Sequence, residues 1–155
     1  MSKRIPHFLL VEDDPNDQFF LRKGLERARQ RCPFTYNMVE DGCVAQSYLN
    51  GVGLYDDRAH FPMPVVIVSD IKMPVCGGLE LLNWVRHHAA TAHLPVVMLT
   101  SSDLPADVAR AYSLGVNTYF LKPNSFHHLV EWAENFSHYW CDFALVPEIV
   151  TPVES

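Results

Sequence analysis

The sequence predicts one α/β domain, a five-stranded parallel sheet with helices on both faces. Three observations predict it. Five short apolar runs recur along the chain, each ending in a polar or charged residue. The segments between them carry apolar residues at helical spacing. No internal repeat, low-complexity tract or shift in composition marks a second unit, and 155 residues suit a single domain.

Each element has a local reason. Phe8-Leu9-Leu10-Val11 is an unbroken apolar run, as expected of a parallel strand covered on both faces. It stops at Glu12-Asp13-Asp14, and Asp14-Pro15 is a helix start, a capping carboxylate followed by a ring with helical φ. Leu21, Leu25 and Ala28 then form an apolar stripe in a helix ending near Arg31. Phe34 to Val39 reads as a second strand, and Val44 to Leu49 as a short helix stopped by Asn50-Gly51. Gly51 to Met63 is irregular and longer than the ~2–6 residues usual between α/β elements.

The second half repeats the pattern. Val65-Val66-Ile67-Val68 is a third strand ending at Ser69-Asp70, and a loop with Pro74, Gly77 and Gly78 leads to a helix over Leu79 to His88. Val96 to Leu99 is the fourth strand, ending at Thr100-Ser101-Ser102. Asp103 is expected to cap a helix with Val108, Ala111 and Tyr112 that Gly115 terminates. Thr118 to Leu121 closes at Lys122-Pro123, and the last helix runs from near Ser125 to about Phe143. The domain is thus expected over 1–143, with 144–155 an irregular tail.

Composition removes several function classes. The net charge is −6 with no basic stripe, which argues against nucleic acid as the main partner. The longest apolar run, Phe61 to Val68, falls far short of the ~20 residues of a membrane helix. Met1 to Pro6 has two bases but no apolar run, so no secretory signal is expected. Cys32, Cys43, Cys76 and Cys141 are widely spaced, and none of the eight histidines has zinc-motif spacing. A cytoplasmic protein with reduced thiols is the expectation.

Ligands of such sheets bind at the carboxyl ends of the strands. Here the first strand ends in Glu12 and Asp13, the third in Asp70, the fourth in Thr100 and the fifth in Lys122. Carboxylates gathered in one crevice repel each other unless a cation neutralises them, and hard oxygen donors suit Mg²⁺. Glu12-Asp13-Asp14 alone is equally ordinary helix-start chemistry. Asp70, terminating four β-branched residues, has no such excuse.

The acidic block after Leu10-Val11, then Asp70-Ile71-Lys72-Met73-Pro74 with Gly78, Leu99-Thr100-Ser101 and Lys122-Pro123, resembles the receiver domain of bacterial response regulators. The resemblance runs from Pro6 to Phe136. It implies a flavodoxin-like (βα)5 sandwich with strand order 2-1-3-4-5. The long Gly51–Met63 segment and the aromatic last helix are similar to small stand-alone regulators paired with phytochrome-type histidine kinases.

That resemblance implies roles. Asp70 would take a phosphoryl group from a phosphohistidine of a sensor histidine kinase. Asp13 and Asp70 would bind Mg²⁺ directly, with the Lys72 backbone carbonyl, while Glu12 acts through water. Lys122 would offset charge on the transferred oxygens, and Thr100 would hydrogen-bond the new phosphoryl group. Tyr119 stands at the switch aromatic, and Lys122–Pro123 would be a cis peptide. Lys72 and Ser102 occupy positions that set the lifetime of the acyl phosphate. The product would be a signalling protein catalysing only its own phosphotransfer and autodephosphorylation.

The last helix carries two overlapping apolar stripes. Leu129, Ala133, Phe136 and Trp140 form one, and Trp132, Phe136, Tyr139 and Phe143 the other. One must be core. The second is expected to be a homodimer or partner face, unless Leu145, Val146 and Ile149 fold back over it. Too little chain follows Phe143 for a helix-turn-helix, so output is expected through contact with a downstream protein. Two other readings remain: a phosphohydrolase of the haloacid dehalogenase type, which needs an acid where Lys72 stands, and a receiver-like scaffold that is never phosphorylated.

Overall fold

Asp14 accepts a hydrogen bond from the Asp17 amide at 2.9 Å, and Pro15 opens the helix behind it. This cap turns the chain sharply at the end of the first strand and starts the winding. The computed structural model describes residues 5–147. The elements are β1 (His7–Val11), α1 (Pro15–Arg29), β2 (Thr35–Val39), α2 (Gly42–Asn50), β3 (Val66–Ser69), α3 (Gly78–His87), β4 (Val96–Thr100), α4 (Pro105–Ser113), β5 (Thr118–Leu121) and α5 (Phe126–His138).

The sheet order is β2-β1-β3-β4-β5 and every pairing is parallel, as expected of the flavodoxin-like class. Successive residues of a strand face opposite sides, so β1 feeds two cores. Phe8 and Leu10 pack with Leu25, Ala28, Val68 and Phe136 beneath α1 and α5. Leu9 and Val11 pack with Tyr48, Ile67, Leu81 and Met98 beneath α2, α3 and α4. The strand order reverses between β1 and β3, which opens a crevice at their carboxyl ends.

The long 51–63 segment is ordered rather than loose. It holds a single 3₁₀ turn, Gly53–Asp56. Arg58 donates to the carbonyls of Tyr48 at 2.8 Å, Leu49 at 2.9 Å and Phe61 at 3.2 Å. It thereby satisfies the Leu49 carbonyl at the end of α2 and gives the Tyr48 carbonyl a second donor beside the Gly51 amide.

Two expectations need correction, the cap of α4 and the place of Phe136. Asp103 does not cap α4: the cap position is Leu104, with no side-chain bond, and Pro105 follows it. Ser102 competes successfully, its hydroxyl reaching Asp107 and accepting from the Leu104 amide at 3.4 Å. The last helix ends its α-turns at His138 and continues as a π turn over Tyr139–Phe143. Phe136 is core and not interface, 7% exposed with its ring 5.2 Å from that of Phe8. Leu145 is fully exposed, so its side chain does not fold back over the helix.

The tail expectation otherwise concerns 148–155, and the signal-peptide expectation largely 1–4, both outside the described residues. Among the described residues no helix is long and apolar enough to cross a membrane.

Candidate functional site

The register builds the rim. Val11 pairs with Ser69, and the Asp70 amide donates to the Val11 carbonyl at 3.0 Å, so Glu12 and Asp70 leave the sheet side by side. On the other flank Thr100 pairs with Leu121, and the Lys122 amide donates to the Thr100 carbonyl at 2.8 Å. Lys122 therefore emerges facing the acids.

Its ammonium reaches three carboxylates: Glu12 at 2.8 Å, Asp17 at 2.7 Å and Asp70 at 2.7 Å. The other Asp70 oxygen, Oδ1, accepts from the Ile71 amide at 2.6 Å and the Lys72 amide at 3.4 Å. Both Asp70 oxygens are thus held, and its side chain is 9% exposed. Gly78 makes the loop possible, because a Cβ there would fall 2.0 Å from the Asp70 carbonyl oxygen.

Three carboxylates share one ammonium. Burial pushes the Glu12 carboxyl up to about 7, outweighing the opposing pull of Lys122, with the charge of Asp70 adding to the rise. Burial would lower Lys122, but hydrogen bonds to Asp17, Asp70 and Glu12 outweigh it and hold the ammonium above the ordinary lysine range. Lys122 stays charged, and Glu12 is the carboxyl that burial drives towards its neutral form. An all-oxygen donor set with surplus charge is a good host for a hard divalent cation.

Thr100 is buried, its Oγ1 accepting from the Ser102 amide at 3.4 Å. Tyr119 is half-buried and donates its hydroxyl to the Ser102 carbonyl at 2.7 Å. Burial raises the Tyr119 phenol above its usual range. The β4–α4 loop thus hangs on two side chains that the sequence places at the rim.

Asp13 stands outside the close carboxylate trio: the carboxylate oxygens within 4.8 Å of one another belong to Glu12, Asp17 and Asp70. Glu12, and not Asp13, makes the ion pair with Lys122. Asp17 was not foreseen. Its signal was its place in the first turn of a helix starting immediately after β1, which turns it back over the strand end. The Lys122–Pro123 bond is trans, as no cis peptide occurs among the described residues. An X-Pro amide prefers trans by ~0.5–1 kcal/mol, and Lys122 reaches all three acids without the cis isomer.

The profile of the response regulator receiver domain matches residues 8–134. The chain belongs to the response regulator receiver family. Response regulator Rcp1 of Synechocystis sp. is 27% identical over 139 residues, covering 90% of this chain and 91% of Rcp1. The phosphorylated cyanobacterial phytochrome response regulator RcpA superposes with a TM-score of 0.83 at 27% identity, covering 94% of this chain and 100% of RcpA. RPA3017, a response regulator in red light signalling of R. palustris, gives 0.84 at 28% identity, over 93% and 99% of the two chains. The chain is therefore a two-component response regulator receiver, and its resemblance to phytochrome response regulators extends over nearly the whole chain.

Proposed function

We propose that this receiver accepts a phosphoryl group on Asp70 from a phosphohistidine of a sensor histidine kinase, with Mg²⁺ as cofactor. The observation that carries the reading is the 2.7 Å contact between Lys122 Nζ and Asp70 Oδ2 inside a three-carboxylate crevice. In the transfer an Asp70 oxygen bonds to phosphorus as the phosphorus–nitrogen bond breaks, and the imidazole leaves with its electron pair. The Ile71 amide orients the carboxylate by holding Oδ1. Lys122 offsets charge on the transferred oxygens, the main demand of phosphoryl transfer.

The donor set fits the cation: oxygens only, with more negative charge than Lys122 neutralises. Glu12, Asp13, Asp70 and the Lys72 backbone carbonyl would hold it, with Asp17 a further candidate. Bound Mg²⁺ supplies positive charge to the phosphoryl oxygens. Thr100 then hydrogen-bonds the phosphoryl group, and Tyr119 follows the loop inward, a two-state change that alters the surface offered to a downstream protein.

A phytochrome-like kinase is the proposed donor, supported by the names of the phytochrome response regulator RcpA and of RPA3017 in red light signalling. The chain spans 91% of Rcp1 and 100% of RcpA, which supports the same receiver unit over 1–143 here. Catalysis of its own phosphotransfer and of autodephosphorylation, in the cytoplasm, would be its only chemistry. Trp132, Tyr139 and Phe143, half-buried or exposed on α5 and its π turn, are the proposed homodimer face.

The test is incubation with acetyl phosphate and Mg²⁺ followed by intact mass, with Asp70→Ala as control. One added phosphoryl group in the wild type only supports the reading. No gain despite measurable Mg²⁺ binding, in the presence of a competent kinase as well, would favour an unphosphorylated scaffold.

A further inference from the structure

Three metal-binding side chains converge at the pole of the sheet opposite Asp70. Cys32 follows the last turn of α1, its amide donating to the Ala28 carbonyl at 3.2 Å, and it is 6% exposed. His138 ends α5, and Asp142 lies in the π turn that follows. Asp142 Oδ2 is 2.7 Å from His138 Nδ1 and accepts from the Cys32 thiol at 3.6 Å. One ligand atom from each of the three lies within 4.8 Å of the others. Cys32 and Asp142 are 110 residues apart, so the packing of α1 on α5 assembles the group and no sequence motif announces it.

The donor chemistry is selective. Thiolate, imidazole and carboxylate together suit a borderline-soft ion and exclude Mg²⁺ or Ca²⁺, which take oxygen. Zinc sits ~2.3 Å from sulfur and ~2.0–2.2 Å from nitrogen or oxygen, so tetrahedral ligand atoms stand roughly 3.3–3.6 Å apart. The sulfur-to-carboxylate distance of 3.6 Å already has that value. The 2.7 Å imidazole-to-carboxylate distance is a hydrogen bond whose proton a metal would replace. His138, with 57% of its side chain exposed, has room to draw back by the required fraction of an ångström.

The surroundings permit entry. A cavity of about 360 Å³ opens over the group, lined also by Arg31 and Glu134. The opposing charge of Arg31 is engaged by Glu134 at 3.5 Å. The π turn is closed by the Ala144 amide on the Tyr139 carbonyl at 2.9 Å, and such turns are frequent at functional positions. We propose that Cys32, His138 and Asp142 form a site for a thiophilic divalent cation of the Zn²⁺ class, with water completing the coordination. A bound ion would clasp the end of α1 to the π turn that carries Tyr139 and Phe143.

The test uses the reduced, chelator-treated full chain in saturating Mg²⁺, so that the acidic rim is occupied. Co²⁺ is added and its optical spectrum recorded, then Zn²⁺ is used to displace it. The expected result is one equivalent of ion with a sulfur-to-cobalt charge-transfer band. Cys32→Ser should abolish the band, and His138→Ala and Asp142→Asn, both at exposed residues, should weaken binding by roughly 100-fold or more. Cys43→Ser and Cys76→Ser should change neither. Binding without the band, or a band that survives Cys32→Ser and disappears with Cys43→Ser or Cys76→Ser, overturns the assignment. So does unaltered affinity in both His138→Ala and Asp142→Asn.

Discussion

Lys122 Nζ donates to Asp70 Oδ2 at 2.7 Å across 52 residues of chain, joining the end of β5 to the end of β3. The same ammonium holds Glu12 and Asp17, so one side chain ties three acids together. Lys122→Ala should strand those acids. We expect a loss of about 2 kcal/mol in chelator, read from urea unfolding, with much of it restored by Mg²⁺ because added cation replaces the missing charge. Phosphoryl uptake from acetyl phosphate should fall even with Mg²⁺ saturating. An unfolding midpoint that ignores both the substitution and the metal would show that Lys122 is not the counter-charge of the cluster.

Asp17 separates local from collective roles. Nearly half of its side chain is exposed, so its pair with Lys122 is screened, and Asp17→Asn should cost no more than ~1 kcal/mol. Its effect should appear instead in cation affinity, since one of three carboxylates in the group is neutralised. Titration of Mg²⁺ by quenching of intrinsic fluorescence checks this. An affinity equal to wild type would place Asp17 outside the cation's reach.

Gly78 is the tightest steric point of the acceptor loop. A Cβ there would sit 2.0 Å from the Asp70 carbonyl oxygen and 3.0 Å from Ser69 Oγ, both part of a buried segment. Gly78→Ala should therefore cost ~3 kcal/mol and displace Asp70, lowering phosphoryl uptake more than Asp17→Asn does. Equilibrium unfolding and intact mass after acetyl phosphate treatment read the two effects. A variant as stable and as active as wild type would mean that the loop relaxes freely.

Most of this geometry was legible in the residues. The strand ends at Asp70, Thr100 and Lys122 follow from apolar runs that stop at polar residues, because a buried strand cannot continue through a charge. What was not legible depends on direction and on contacts distant in sequence. Glu12 contacts Lys122 and joins the close carboxylate trio while its neighbour Asp13 does not, a distinction that composition does not carry. Asp17 joins the rim because α1 starts at Pro15. Phe136 looked as fit for a surface stripe as for the core until its ring met Phe8. Asp103 lost the cap to a Ser102–Asp107 bond that helix-start rules do not anticipate.

Tyr119 fastens the β4–α4 loop with a single hydroxyl, donated to the Ser102 carbonyl at 2.7 Å. Tyr119→Phe should lose about 1 kcal/mol, the net value of a typical hydrogen bond. Amides from Ser102 to Leu104 should exchange with solvent faster while those of β1 keep their protection. Hydrogen exchange by mass spectrometry reads both, and unchanged exchange in the loop would assign its order to Thr100 and Asp107 instead.

His7 gives the fold a pH limit remote from the acidic rim. Its ring is buried at the start of β1, with Nδ1 2.7 Å from Thr35 Oγ1 and Nε2 3.0 Å from the Tyr48 hydroxyl. Burial lowers its pKa from 6.5 to about 4, against a smaller opposing effect of Asn37. The folded state thus keeps His7 neutral where the unfolded chain takes up a proton. Its contribution to stability is complete above about 6.5 and is lost as pH falls towards 4. A shift of this size is worth on the order of 3 kcal/mol. His7→Gln retains a hydrogen-bonding side chain but does not titrate, so its unfolding free energy should decline less steeply than that of wild type between pH 6.5 and 4. Parallel declines in the two proteins would show that other groups, and not His7, carry the acid sensitivity.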